Sequence, residues 1–263
     1  MGPAWLILPT YDEAENVERI VRAVLPVLAR SRCDGHHVLI VDDGSPDGTG
    51  QIADRLAAEL PDRVSVLHRP APQGLGPAYL AGFDHALRAG AGLVLEMDAD
   101  FSHDPADVER LIAAVADGAD LALGSRYVPG GGVSDWGLGR RVISRGGCLY
   151  ARRVLSLRVR DLTGGFKCFR REVLEAIDLP TVRSKGYAFQ VELTLRAVRA
   201  GFRVVEVPIV FRERQLGRSK MSWRIAGEAF VLLPQLRRRR VARVGTSVQA
   251  AVPERAERPT VKS

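Results

Sequence analysis

The sequence predicts an α/β protein with a mostly parallel, twisted sheet that carries helices on both faces. Short apolar runs of strand length alternate with longer segments whose apolar residues recur at helical spacing. Clusters of polar and acidic residues directly follow four of the apolar runs, as expected where parallel strands end at a binding site. The chain has 263 residues, 46% of them hydrophobic and 26% charged, which is enough for a substantial core.

The first half of the chain contains the clearest elements. Its predicted strands are the apolar runs at residues 4–8, 37–41, 64–67, 93–97 and 121–123. Its predicted helices cover residues 17–28, 48–60 and 79–87, and a fourth begins at Asp104. An Asp followed by Pro105 is typical of a helix cap and first turn. This βαβα order favours parallel pairing of the strands.

The alternation weakens after Gly130-Gly131-Gly132, which we expect to form a flexible loop. The remaining predicted elements are a basic amphipathic helix at 141–157, strands at 166–169 and 204–211, and helices at 190–200 and 225–236. From Arg237 onward, Arg, Ala, Pro, Glu, Thr and Ser dominate, which is typical of disorder. We therefore expect one domain at residues 1–236 and a basic, disordered tail at 237–263.

The net charge of +7 comes from local clusters of arginine. Four arginines occupy residues 237–240, and seven more lie between residues 140 and 160. Nucleic acid and anionic membrane are the usual partners of such patches. No nucleic-acid-binding motif accompanies these arginines, and no aromatic residue adjoins the four-arginine run. This disfavours nucleic acid as a partner.

The cysteines and the apolar runs indicate the compartment. Cys33, Cys148 and Cys168 have no metal-ligand spacing and form no even disulfide set, so we expect a reducing environment. The first residues include no basic segment of a signal peptide. No run of about 18 apolar residues is present, so the sequence predicts no transmembrane helix.

The strongest chemical signal is the pair Asp98 and Asp100, which follows the apolar run at 93–97. Residues i and i+2 of an extended chain lie on one side, and two carboxylates placed there repel unless a cation or a proton lies between them. A hard divalent ion that also holds a diphosphate meets this need. The pair therefore favours an enzyme for a phosphorylated substrate. A turn and a helix cap are the alternative interpretation.

Seven motifs then reveal a family resemblance that spans about residues 4–225. They read PTYDEAEN, VDDGSPDGT, MDADFSHDP, GSRYVPGG, DLTGGFKCF, GYAFQVEL and FRERQLGRSKMS. The chain resembles glycosyltransferase family 2, and within it the polyprenol-phosphate (dolichol-phosphate) mannosyltransferase type. The resemblance implies a GT-A fold. It also implies transfer of mannose from GDP-mannose to a polyprenyl phosphate, with inversion and with Mg²⁺ or Mn²⁺ as cofactor.

The resemblance also implies roles for residues of the donor site. Asp98 and Asp100 would be the metal-linked pair, with Asp100 as the direct ligand and Asp98 at the ribose or the sugar-phosphate end. Asp43 would hydrogen-bond the nucleoside, and Arg214 and Lys220 would close over the diphosphate from a basic loop. For Arg214 and Lys220, solvated surface charge is the alternative. The other implied donor-site residues are Pro9, Tyr11, Glu13, Val41 and Ala99.

For the acceptor phosphate, the resemblance implies Arg126, Arg140 and Ser144. Arg140 and Ser144 are four residues apart, so a helix would place them on one face. A guanidinium suits a phosphate monoester, although contact with a membrane surface is the alternative for Arg140. For several further residues, the sequence does not decide between a role in the binding site and a role in packing. A structural role is favoured for His103, and packing is favoured for Trp136. These residues are Trp136, His103, Gln190 and Glu192.

A phosphate acceptor simplifies the expected mechanism, because it is anionic near neutral pH and needs no general base. Its oxygen would attack the anomeric carbon directly, while Asp98, Asp100 and Arg126 act as the catalytic residues. The metal and the cations Arg126, Arg140, Arg214 and Lys220 would offset the repulsion between two anionic substrates.

The lipid acceptor implies peripheral binding at the cytoplasmic face of a membrane, or docking on a membrane-anchoring protein. Three other functions are alternatives. The first is the same reaction with another donor, such as UDP-glucose. The second is a nucleotidyltransferase, which the acidic residues Asp12 and Glu13 after the first strand disfavour. The third is a non-catalytic nucleic-acid binder, which the acidic clusters would repel.

Overall fold

The computed structural model describes residues 1–184, 186–213 and 233–237. In this part of the chain a seven-stranded sheet has the order β3-β2-β1-β4-β7-β5-β8, and β6 pairs with β9 in a separate sheet. The strands are β1 (Ala4–Thr10), β2 (His36–Asp42), β3 (Val64–His68), β4 (Leu93–Glu96), β5 (Leu121–Ser125), β6 (Gly132–Val133), β7 (Lys167–Arg170), β8 (Val204–Pro208) and β9 (Val210–Phe211).

Helices connect most of these strands. They are α1 (Val17–Arg30), α2 (Thr49–Glu59), α3 (Leu75–Arg88), α4 (Asp107–Ala116), α5 (Leu138–Leu155), α6 (Arg171–Ala176) and α7 (Gly186–Arg199). A 3₁₀ turn covers Leu179–Thr181, and residues 233–237 are helical. Within the described ranges, no helix combines the length and the apolar character needed to span a bilayer.

The sheet is covered on both faces because its strands are apolar on both sides. Leu6 and Ile40 belong to the hydrophobic cluster that contains residues of α1, α2 and α4. Their neighbours Ile7 and Leu39 belong to a second cluster with residues of α3, α6 and α7. Successive strand residues point to opposite faces, so continuous apolar runs require helices on each side.

A third cluster joins α5 to α7. It contains Leu155 of α5 and Leu195 of α7, together with Leu233 and Leu236. The predicted domain boundary at residue 236 thus falls inside a packed helical segment. Residues 225–232 of the predicted helix at 225–236, and residues 238–263 of the predicted tail at 237–263, lie outside the described residues.

Strand direction brings the predicted motifs to one edge of the sheet. β1 pairs in parallel with both β2 and β4. β7 lies antiparallel between β4 and β5, so β4 and β5 point the same way. The carboxyl ends of β1, β2, β4 and β5 therefore share one edge, where ligands of such sheets bind.

Two segments differ from the sequence-based expectation. The predicted strand at 204–211 divides at Ile209 into β8 and β9, which belong to different sheets. The glycine loop at 130–132 is also partly ordered, since Gly132 pairs with Val210. A Cβ on Gly131 would lie 2.4 Å from the carbonyl oxygen of Ser125, so this close approach of two backbones requires glycine.

The predicted helix start at Asp104 is also displaced. α4 begins at Asp107, three residues later. A turn precedes the helix, in which the Asp104 carboxylate accepts a hydrogen bond from the Ala106 N–H at 3.0 Å. Asp104 therefore caps a turn rather than the helix itself.

Candidate functional site

The first two motifs fold against each other at the ends of β1 and β2. The Asp12 N–H donates to Ser45 Oγ at 3.2 Å, and the Glu13 N–H donates to Thr49 Oγ1 at 2.9 Å. Asp47 accepts from the Ala14 N–H and from Thr49. Burial would raise the pKa of Asp47, but these hydrogen bonds hold it below its ordinary value. The Asp47 carboxylate and the hydroxyls of Ser45 and Thr49 thus hold the two motifs together.

The predicted nucleotide-pocket residues lie along this edge. Pro9 and Val41 are partners across β1 and β2, and Tyr11 follows directly after β1. Glu13 is buried, and its carboxylate accepts a hydrogen bond from Asn16 Nδ2 at 2.9 Å. The sheet therefore brings these four predicted residues to one region.

Asp43 has protein partners on both carboxylate oxygens. Its Oδ1 pairs with the Arg69 guanidinium, and its Oδ2 accepts from the N–H groups of Gln73 at 3.0 Å and Gly74 at 3.3 Å. Asp43 therefore orders the loop between β3 and α3 beside the pocket. The resemblance implied that Asp43 binds the nucleoside, whereas no feature of the sequence predicted this loop contact.

Asp98 and Asp100 follow β4 and share an environment with Tyr79 of α3. The Tyr79 hydroxyl donates to Asp98 Oδ1 at 3.4 Å, and the Ser102 N–H donates to Asp100 Oδ1 at 3.0 Å. Burial raises the pKa of Tyr79, and the charges of Asp98, Glu96 and Asp100 raise it further. Tyr79 was interpreted from sequence only as an apolar helix position.

The oxygen atoms around Asp100 suit a hard divalent cation. Asp98 and Asp100 supply carboxylates, and buried Ser102 Oγ has no hydrogen-bond partner in the described chain. Oxygen ligands of this kind match Mg²⁺ and Mn²⁺. Within the same ranges, no cluster of three or more His, Cys, Asp or Glu side chains could hold a metal ion. By the chemistry of their donor atoms, the carboxylates of Asp98 and Asp100 and the hydroxyl of Ser102 fit a hard divalent cation.

A buried ion pair includes Glu96, the last residue of β4 and two residues before Asp98. Lys167 and Glu96 are both fully buried, and Lys167 Nζ lies 3.0 Å from Glu96 Oε1. The ammonium also donates to the side-chain oxygen of Gln190, and to its backbone oxygen at 3.3 Å. Burial raises the pKa of Glu96 and lowers that of Lys167. The cluster ties β4, β7 and α7 together.

Gln190 and Glu192, whose roles the sequence left open, make buried contacts beside this ion pair. Gln190 accepts from Lys167, and Glu192 accepts from the Ser184 N–H at 3.2 Å and from Arg196 Nε at 3.0 Å. Both side chains are almost fully buried. In this structure they brace α7 against its surroundings.

The three predicted acceptor residues surround two aromatic rings. The guanidinium carbons of Arg126 and Arg140 lie 5.7 Å and 4.1 Å from the Trp136 ring centroid. The Tyr127 hydroxyl donates to Ser144 Oγ at 2.6 Å, and Arg126 lies 5.2 Å from the Tyr127 ring. Trp136 is 7% exposed and thus packs between two cations.

Each acceptor-site arginine has a carboxylate partner that sequence reasoning missed. Arg126 pairs with Asp161 at 2.6 Å, and both groups are buried. Arg140 pairs with Glu213 at 2.9 Å, and this pair is largely exposed. Asp161 lies in the motif DLTGGFKCF, but 35 residues separate it from Arg126, so no local spacing predicted the contact.

Four further positions named from the sequence are Ala99, His103, Arg214 and Lys220. Ala99 is buried between the two aspartates in sequence. Arg214 and Lys220 lie outside the described residues. His103 packs between the rings of Phe166 and Phe211, and burial lowers its pKa to about 4. A neutral, packed His103 agrees with a structural role.

Comparisons with known proteins show similarity to one family and to two named relatives. The profile of Glycosyl transferase family 2 matches residues 5–178. The chain is 55% identical over 217 residues to the polyprenol monophosphomannose synthase of Mycolicibacterium smegmatis, across 82% of this chain and 80% of that protein. It is 49% identical over 225 residues to the undecaprenyl-phosphate mannosyltransferase of Micrococcus luteus, across 86% and 90% of the two chains.

A solved structure supports the fold. Glucosyl-3-phosphoglycerate synthase from Mycobacterium tuberculosis, in complex with Mn²⁺, UDP-glucose and glycerol 3-phosphate, is similar with a TM-score of 0.63 and 17% identity. The similarity covers 89% of this chain and 79% of that one. The predicted α/β arrangement of the GT-A type is thereby confirmed. Because the profile match spans more than half of the chain and two relatives share about half of its residues, the chain belongs to glycosyl transferase family 2.

Proposed function

We propose that this protein transfers mannose from GDP-mannose to a polyprenyl phosphate with inversion, which gives polyprenyl β-D-mannosyl phosphate and GDP. The observation that carries the proposal is the 55% identity to a relative named polyprenol monophosphomannose synthase. The arrangement of the site agrees with it. A pair of aspartates and a cluster of arginines lie at one edge of the sheet, as a diphosphate donor and a phosphate acceptor require.

On the donor side, Asp98 and Asp100 would hold Mg²⁺ or Mn²⁺, with Asp100 as the direct ligand. The metal, when bound, stabilises the charge that develops on the GDP leaving group. Asp43 would contact the nucleoside, and Arg214 and Lys220 would contact the diphosphate. The remaining proposed donor contacts are Pro9, Tyr11, Glu13, Val41 and Ala99.

On the acceptor side, Arg126, Arg140 and Ser144 would orient the lipid phosphate. One phosphate oxygen attacks the anomeric carbon of mannose and forms the new C–O bond. The bond from that carbon to the diphosphate breaks, and its electron pair leaves with GDP. No side chain needs to remove a proton, because the phosphate is already anionic.

The proposal is tested by incubating sugar-labelled GDP-mannose with a short polyprenyl phosphate and Mg²⁺ or Mn²⁺. We expect label in the lipid fraction, and at least a 100-fold loss of the rate in excess chelator that either metal restores, because uncompensated diphosphate is a poor leaving group. UDP-glucose, tested in parallel, should transfer far more slowly. Faster transfer from UDP-glucose, or full activity in chelator, would contradict the proposed donor or the metal.

We also propose that the protein binds through α5 to the anionic, cytoplasmic face of a membrane. This helix turns large apolar side chains outward, since Leu138 is 80% exposed and Val142 is 70% exposed. Exposed Arg141 and Arg145 lie beside them. Apolar residues flanked by cations are typical of helices that lie on a bilayer. The position of Ser144 on the same helix would keep the acceptor phosphate close to the membrane.

The double change Leu138→Ser and Val142→Ser should reduce binding to phosphatidylglycerol-containing vesicles about tenfold, since two apolar side chains no longer enter the bilayer. Vesicle flotation measures this binding. Leu75→Ser, which alters a 39% exposed leucine on α3, is the matched control and should bind like wild type. If wild type fails to float, peripheral binding is wrong and docking on a membrane-anchoring protein is favoured.

A further inference from the structure

Arg126 is held by a carboxylate that the proposed reaction does not use. Arg126 Nε donates to Asp161 Oδ2 and Nη2 donates to Oδ1, both at 2.6 Å. The backbone N–H of Arg126 also donates to Oδ2, at 3.0 Å. Asp161 is fully buried and Arg126 is 6% exposed. A two-point contact of this kind fixes the plane of the guanidinium.

The pair changes what Arg126 can contribute to an anionic substrate. Burial would raise the pKa of Asp161, but the charge of Arg126 and its hydrogen bonds hold it below its ordinary value. Asp161 is therefore ionised and compensates the charge of Arg126. With its charge compensated, Arg126 offers a directed hydrogen-bond donor to an anionic substrate.

Asp161 is itself fixed by neighbouring strands and loops. Glu206 of β8 accepts from the Asp161 N–H at 2.9 Å and from the Arg160 N–H at 2.8 Å. Thr163 Oγ1 accepts from Arg126 Nη2 at 2.8 Å. The position of the guanidinium therefore derives from the rigid sheet rather than from a free side chain.

The contacts leave one edge of the guanidinium for a ligand. Nε and Nη2 are occupied, whereas Nη1 donates no hydrogen bond within the described residues. The rings of Tyr127, Trp136 and Phe211 pack 5.2 to 5.7 Å from the guanidinium carbon. Trp136 also stacks on Arg140, so this edge lies in the cluster proposed to bind the acceptor.

We propose that Asp161 is a positioning residue for mannose transfer: it orients Arg126 so that Nη1 donates to the acceptor phosphate in line with the anomeric carbon. This inference rests on the proposed function. Asp161 would act through Arg126 and would touch neither substrate. Removal of the Asp161 carboxylate should disturb the placement of the acceptor phosphate more than it weakens binding of the acceptor.

The test is Asp161→Asn, assayed with varied concentrations of polyprenyl phosphate. We expect kcat to fall about 10- to 100-fold, because misplacement by about 1 Å costs rates of that order. The KM for the acceptor should not rise, since an uncompensated Arg126 attracts phosphate more strongly. The affinity for GDP should stay at the wild-type value. Asp117→Asn, which alters an exposed carboxylate paired with Arg32, is the control and should behave like wild type.

A second variant covers the case in which Asp161→Asn does not fold. Thr163→Val removes the contact to Nη2 and keeps the side-chain volume, and its kcat should fall about threefold to tenfold without a rise in acceptor KM. An unchanged kcat in a folded variant, or an equal loss of donor and acceptor affinity, would overturn the positioning role. Absence of transfer by wild type would instead contradict the proposed function itself.

Discussion

Replacing Asp100 with asparagine is expected to lower kcat/KM for mannose transfer about 100- to 1000-fold. The amide keeps an oxygen that can accept from the Ser102 N–H, so the local fold should survive. It loses the charge that would hold the metal, and the developing charge on GDP then lacks several kcal/mol of stabilisation. Initial rates at saturating Mg²⁺ or Mn²⁺ measure the effect.

Asp84→Asn supplies the matched control for this experiment. Asp84 lies on α3 and forms an exposed ion pair with Arg88. Because Asp84 has no proposed role in binding or catalysis, its variant should retain wild-type kinetics. Thermal melting should show both variants folded. If Asp100→Asn keeps its rate within tenfold of wild type, the metal role of Asp100 is wrong.

The second large effect concerns stability. Lys167→Met should lower the free energy of unfolding by about 3–5 kcal/mol, because it leaves Glu96 as an unpaired carboxylate in a fully buried position. Glu96 already has a raised pKa from burial, and loss of the ammonium raises that pKa further. The variant should therefore be less destabilised at low pH and lose stability as pH rises above the ordinary pKa of glutamate.

The double variant Glu96→Gln and Lys167→Met distinguishes an unpaired charge from lost packing. Since it has no buried charge, it should recover a large part of the stability lost in Lys167→Met. Urea unfolding measures the free energy of unfolding of the single variant and of the double variant. A single variant within about 1 kcal/mol of wild type would show that Lys167 does not neutralise Glu96 in solution.

The edge of the sheet at which the candidate site lies could be predicted, because the sequence pattern that marks it is local. Apolar runs followed directly by Pro9, Asp42 or Asp98 marked strand ends, and the strand order places those ends together. By contrast, the apolar run at 204–211 gave no sign that it would divide between two sheets. That division depends on β6, a two-residue strand held by a glycine turn.

The contacts that organise the site could not be predicted, since they join residues distant in sequence. Asp161 meets Arg126 across 35 residues, and Lys167 meets Glu96 across 71. Neither pair has helical or strand spacing, so only packing brings the partners together. The resemblance named Arg126 as a phosphate ligand but did not reveal that a buried carboxylate compensates its charge.

The proposed mechanism depends on direct attack of the lipid phosphate on the anomeric carbon. It is tested most directly by the anomeric configuration of the product formed from GDP-α-mannose and polyprenyl phosphate, determined by NMR of the purified lipid. A single displacement predicts β-mannosyl phosphate as the product. A product in the α configuration would require two displacements or a different nucleophile, and would contradict the account.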